Sequence, residues 1–318
     1  MLPAWARPSH PVFQLEAGRR TPNRVLRVMQ ATLRPLVLGT LSVALPILLV
    51  FGLPSVVLGD FQYGPSTLLG LALAIFVIIQ LAVGAFANVL TIAQVAPTIS
   101  MEIELQSWRL LRTTLVSLRD VLYAKLAAAG HLLRDQLSAL LIVRVISLIT
   151  GLLLVLWMFV NEALYYASRQ DLLAFWYEGR AIPIVLAVLA GSLFWIAQPL
   201  LQMALNGSLA LLSSAMSRTR GQALAMALAG RLVLWITSIM LNGAAIFGLG
   251  YLILGNWLDP RYAPITAFRS LPEPTPAQAT WVVGGLIATY ALMVLAAQAG
   301  LTMLLLGLTE RRARRLEV

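Results

Sequence analysis

Arg144 and Arg231 stand seven to nine residues inside long apolar runs, a depth of roughly 10–14 Å at ~1.5 Å rise per helical residue. Two chemistries are open to them. Long arginine side chains snorkel from such a depth to the interface or pair structurally, or they line a cytoplasm-facing entrance and attract an anionic lipid or substrate headgroup. Other reactive groups are scarce. His10 and His131 both lie outside the apolar runs, where haem ligation between helices is not expected. Cysteine is absent, which excludes disulfides, thiolate metal sites and thiol nucleophiles. No pair of carboxylates lies within an apolar run, since Asp60 begins a loop and Glu162 ends a run, so proton-coupled transport is disfavoured. Ser213, Ser214 and Ser217 have no histidine or acid beside them and read as packing or loop residues rather than nucleophiles.

The longest charged, amphipathic segment between apolar runs is Ser100 to Lys125, SMEIELQSWRLLRTTLVSLRDVLYAK. Trp108, Leu111, Leu115, Leu118 and Leu122 recur there at spacings of three and four, which is helical. Arg109, Arg112, Arg119 and Asp120 fall off that stripe. One face of the expected helix is therefore apolar and the other meets water or anionic groups. Such a helix either links two spans along a membrane surface or seats in a protein groove.

The elements that position these groups are set by composition. Hydrophobic residues make up 59% of the chain and charged residues 11%, against about 25% charged in a soluble domain. The expected fold is all-α, a polytopic membrane protein. Net charge is +10 and twenty-two of the twenty-three basic residues are arginine. They flank apolar runs, so their expected partners are lipid phosphates and adjacent protein rather than nucleic acid. Six spans are expected, at about 36–58, 68–96, 137–160, 182–205, 223–254 and 281–308. They lie between a basic N-terminal segment, 1–34, with no cleavable signal peptide, and a basic tail, 309–318. A coupling segment, 100–136, follows span two and contains a polar turn at Gly130, His131, Arg134 and Asp135. An aromatic loop, 161–180, follows span three, a small-residue loop from Asn206 to Gly221 follows span four, and a proline-rich connection, 256–280, follows span five. Leaving Arg144 and Arg231 aside, the N-terminal segment, the loops after spans two and four and the tail hold seventeen basic residues. The remaining loops hold four. Both termini, and the coupling segment with them, are expected to be cytoplasmic.

With that topology, Glu102 to Lys125 resembles the cytoplasmic coupling segment of permeases of the type-2 family of ATP-binding-cassette transporters. That segment reads as an acid with a basic neighbour, Gly-Thr, a leucine cluster, Thr-Pro, and an apolar stretch closing on Gly-Lys. Here Glu104 stands at the acid, Ser107 and Trp108 at Gly-Thr, Leu110 and Leu111 at the leucines, Thr113 at the threonine, and Ala124 and Lys125 at Gly-Lys. Thr114 replaces the proline, so the helix is expected to run unbroken. At the N-terminus, His10-Pro11-Val12-Phe13 with Glu16 and Arg19-Arg20 is similar to the Asn-Pro-Val-Leu, Glu, Arg-Arg opening of many members.

The resemblance implies a permease without catalysis of its own, in the cell membrane, most often an exporter, working with a second permease copy or homologue. A separate ATPase subunit binds the ATP; this chain binds no cofactor and contains no GxxxxGK[ST] phosphate loop. Glu102, Glu104 and Arg109 are implied as polar contacts to that subunit. Trp108, Leu111 and Leu115 are its apolar seat, and Thr114 and Lys125 belong to the same segment. A competing reading of the same layout is a non-transporting membrane anchor or scaffold of a larger respiratory or photosynthetic complex.

Overall fold

A computed structural model of the chain describes residue 14 and residues 64–106, 108, 117–166, 181–249 and 276–315. Span one, nearly all of the N-terminal segment, most of the aromatic loop and most of the proline-rich connection lie outside the described residues.

Every regular element among the described residues is an α-helix: α1 Gly64–Val95, α2 Pro97–Glu104, α3 Leu118–Leu132, α4 Arg134–Tyr166, α5 Ala181–Met216, α6 Arg220–Leu249 and α7 Pro276–Arg315. Five stretches are long and apolar enough to cross a membrane: Leu73–Glu104, Arg134–Leu154, Ile182–Met216, Arg220–Ala244 and Trp281–Arg315. They correspond to expected spans two to six. Each exceeds the ~20 residues that cross a hydrocarbon core. The chain is a multi-pass membrane protein. Hydroxyls inside the helices are satisfied without water, because Thr91, Thr150, Ser213 and Thr309 each donate to the carbonyl four residues back.

Successive spans alternate in direction, and α5 is central. It packs most extensively against α7 and also touches α6, α1 and α4. The α5–α7 contact is close because Gly284 has no side chain; a Cβ there would come within 2.5 Å of the Pro183 carbonyl oxygen. The main core lies at the end of the bundle rich in arginine, where Ile92, Val95, Ile99, Leu211 and Ala215 are all buried. A smaller core, with Phe76, Val83, Leu140 and Val143, joins α1 to α4.

The boundaries differ from expectation at three places. Asn206 to Gly221 is not a loop, for α5 continues to Met216. Its small residues are contact points: Asn206, Ser208 and Ser214 are fully buried, and a Cβ on Gly207 would press on Leu126. The turn expected at Gly130 and His131 lies inside α3, and the break falls at Leu133, a fully buried residue. The tail continues α7 as helix to Arg315, where Glu310 pairs with Arg314 one turn on.

Ser100 to Lys125 is not one unbroken helix. α2 ends at Glu104, Gln106 takes a φ of 56°, and α3 opens only at Leu118. A left-handed residue is costly without a glycine and cannot continue a right-handed helix. The restart is encoded locally: Ser117 is extended, and its hydroxyl accepts from the Asp120 backbone N–H at 3.1 Å. The expected stripe starts at Trp108, after α2 has ended, and of its leucines Leu118 and Leu122 lie in α3, while Leu111 and Leu115 lie outside the described residues.

Candidate functional site

Two constellations stand out, one at the arginine-rich end and one at the depth of the spans. The first begins at Pro97. Proline brings no N–H and opens α2 directly below α1. The acceptors that a continuous helix would offer the next amides are replaced from another element. Ser214 of α5 accepts from the backbone N–H of Ile99 at 3.0 Å and of Ser100 at 2.9 Å, while Thr98 donates to the Val95 carbonyl. Neighbours re-satisfying freed backbone groups is how an apolar medium tolerates such a joint.

Charge then locks the joint. Lys125 of α3 donates to Glu102 of α2 at 2.7 Å, with the Lys125 side chain 0% and the Glu102 side chain 3% exposed. Burying charges this deeply is tolerated when they are paired and hydrogen-bonded, as these two are. Glu104 reaches α6, where one carboxylate oxygen accepts from the Arg220 backbone N–H at 3.0 Å and the other from Arg220 Nε at 2.9 Å. Arg220 is the first residue of α6, so the acid also meets the positive end of that helix. Trp108 is buried and belongs to the main core.

Two residues implied as contacts to a partner protein, Glu102 and Trp108, are buried in this chain, and with Lys125 of the same segment they hold it against its own bundle. Of the described members of that set, Glu104 alone keeps partial exposure, its side chain being 32% exposed. Arg109, Leu111, Thr114 and Leu115 lie outside the described residues. Arg119 is on the surface of α3, where a hydrogen bond from its guanidinium to the Tyr123 hydroxyl raises its pKa above the ordinary arginine value.

The second constellation is a groove of about 410 Å³ between α1, α4, α5 and α6, lined by Gln80, Asn88, Arg144, Gln198, Gln202 and Arg231 among others. Arg144 does not snorkel. Its guanidinium donates to the Trp195 carbonyl and, at 2.6 Å, to Gln198 Oε1, and lies 5.1 Å from the Trp195 ring. Trp195 Nε1 donates back to Ser147, which also receives Gln80 Nε2 at 2.6 Å. A further chain of amides runs from Asn206 to Asn88 at 2.7 Å and from Asn88 to Gln202 at 3.4 Å. Arg231 lines the same groove, and among the described residues it meets no hydrogen-bond or ion-pair partner.

No protein-family model, curated protein or solved structure matches this chain. Its chemistry is therefore read from these two constellations. Neither arginine has a counter-ion in the spans, whose acids sit only near their ends, at Glu102, Glu104, Asp135 and Glu310. Among the described residues, no group of three or more histidines and acids could hold a metal ion.

Sequence reasoning found both arginines and missed the amides. Their spacing carried a signal: Gln198, Gln202 and Asn206 recur every four residues, and Gln80 and Asn88 are eight apart, so each set lies on one helical face. An amide stripe within an apolar run marks a face that meets polar partners rather than lipid.

Proposed function

We propose that this chain is the membrane permease of an ATP-driven transporter, coupled to a separate ATPase subunit through the α2–α3 segment. One observation carries the reading: that segment is fastened to two of the four helices that line the polar groove. Ser214 ties α2 to α5, and Glu104 ties it to α6. α5 presents Gln198 and Gln202 to the groove and α6 presents Arg231. A push on α2 and α3 from outside the membrane thereby reaches the groove walls without passing through a flexible linker.

In this reading the arginine-rich end faces the cytoplasm of a cell-membrane protein, in keeping with the distribution of basic residues. The permease works as a two-fold pair with a second copy or a homologue. Export is the direction that the resemblance implies. The partner holds the ATP, and this chain contributes no catalysis.

The test is to purify the tagged full chain from its native membranes in mild detergent, identify the proteins that accompany it, and assay ATP hydrolysis. A soluble subunit bearing a phosphate-binding loop, with hydrolysis that falls when Glu104 is changed to Gln, is the expected result. Redox subunits in its place, with no ATPase, would overturn the reading in favour of a scaffold.

A further inference from the structure

The polar groove has an apolar neighbour. Between α6 and α7, against α5, lies a cleft of about 450 Å³ walled by Leu241, Leu286, Met293, Val294 and Leu301 among others. Gln202, Arg231 and Trp235 line both spaces, so the two adjoin at Arg231. One space carries cations and amides; the other is mostly apolar in surface, with Thr237, Ser238, Asn242, Thr289, Tyr290 and Gln298 set among its hydrocarbon walls. Across the cleft the Tyr290 hydroxyl donates to Asn242, the one polar tie between α6 and α7 among the described residues.

The polar side has unmet capacity. Arg144 is 9% exposed and its Nε reaches no acceptor; Gln80 is 4% exposed and its Oε1 reaches no donor. Arg144 uses two of its five N–H groups on Trp195 and Gln198. Arg231 adds a second cation, and no acid of the spans is placed to neutralise either one. Two cations facing one groove in an apolar medium repel each other and are costly to hold there unless an anion lies between them.

From this geometry we infer a binding site for a single-chain amphiphile with an anionic headgroup, its anion held by Arg144 and Arg231 and its acyl chain laid in the α6–α7 cleft. Arginine suits phosphate or carboxylate because its planar fork donates in pairs. Trp235, at the junction, offers an apolar ring with a single polar edge to the segment joining head and tail. That such a molecule is cargo rests on the permease reading. Its binding does not, and would persist in a chain that never met an ATPase.

The test uses the full chain in nanodiscs of phosphatidylcholine, titrated with oleoyl lysophosphatidate, with uncharged oleoyl glycerol and with glycerol phosphate, and read by native mass spectrometry. Lysophosphatidate should bind about tenfold or more tighter than either of the others, since charge and chain each contribute separately. Arg231→Gln should remove that preference and Arg231→Lys should restore part of it. Ala297→Phe, which crowds the cleft, should weaken lysophosphatidate about tenfold without touching the arginines. Glycerol phosphate binding as tightly as the lipid would overturn the amphiphile in favour of a soluble anion. Equal binding of oleoyl glycerol would reduce the site to an apolar crevice, and an unchanged preference in Arg231→Gln would remove the headgroup assignment. Should Arg231→Gln fail to fold, unchanged lysophosphatidate binding in Ala297→Phe would overturn the inference by itself.

Discussion

The arginine-rich end and the mid-span groove both set charge among apolar helices, and they treat it in opposite ways. At the end, Lys125 meets Glu102 at 2.7 Å and Arg220 meets Glu104 at 2.9 Å, each cation with an anion of its own. In the groove, Arg144 leans on neutral acceptors, a carbonyl and an amide, and Arg231 leans on none among the described residues. The first arrangement spends its charges on the fold. The second leaves them available to something outside the chain, at the expense of stability. A region built for rigidity and a region built for occupancy thus share α5 and α6.

Removing charge should accordingly have opposite effects in the two regions. The largest loss is expected from Lys125→Met, which takes the ammonium away from the buried Glu102 carboxylate. Breaking a buried pair costs about 3–5 kcal/mol, read as a fall in thermal midpoint of the detergent-solubilised chain. The double replacement Glu102→Gln with Lys125→Met should recover most of that fall, and a double variant as unstable as the single one would show that the pair is not the cause. Next comes Ser214→Ala, which leaves the Ile99 and Ser100 amides without their acceptor, at about 1–3 kcal/mol. Hydrogen exchange should then speed at those two amides while Leu205 and Ala210 in α5 stay protected.

Glu104→Gln is expected to cost less, about 0.5 kcal/mol, because the pair is partly solvated and the helix-end attraction is screened by salt. Its thermal effect should shrink as ionic strength rises, and an effect independent of salt would contradict the assignment. Smallest of all, and of reversed sign, is Arg231→Gln: a cation without a partner among the described residues leaves the spans, so stability should hold or rise by less than ~0.5 kcal/mol. A fall of more than about 2 kcal/mol would show that Arg231 has a structural anion in the chain, and the contrast between the two regions would be lost.

Spans two to six were readable because their apolar runs are long and almost free of charge, as in Ile182–Met216, and a membrane solvent admits little else but helix. Boundaries were less so. The serines and Gly207 near the end of α5 carry loop chemistry in their composition, yet a helix whose neighbours approach closely needs small residues just as much. The break at Gln106 was invisible, since glutamine gives no hint of a left-handed backbone. Within the site, Arg144 and Arg231 announced themselves as charges in apolar sequence. The inward turn of Glu102 and Lys125 did not, because an acid and a base twenty-three residues apart look alike whether they face water or each other, and only the fold between them decides.

Gly284 against Pro183 bears on motion as well as packing. Where α7 passes α5 there is no layer of side chains to slide upon; backbone lies almost on backbone, and the two helices run parallel as a single mast. α6 touches α7 so sparingly that the cleft between them hangs on the Tyr290 to Asn242 bond. Among α5, α6 and α7, a movement that widens that cleft is therefore a movement of α6, and it carries Arg231 with it.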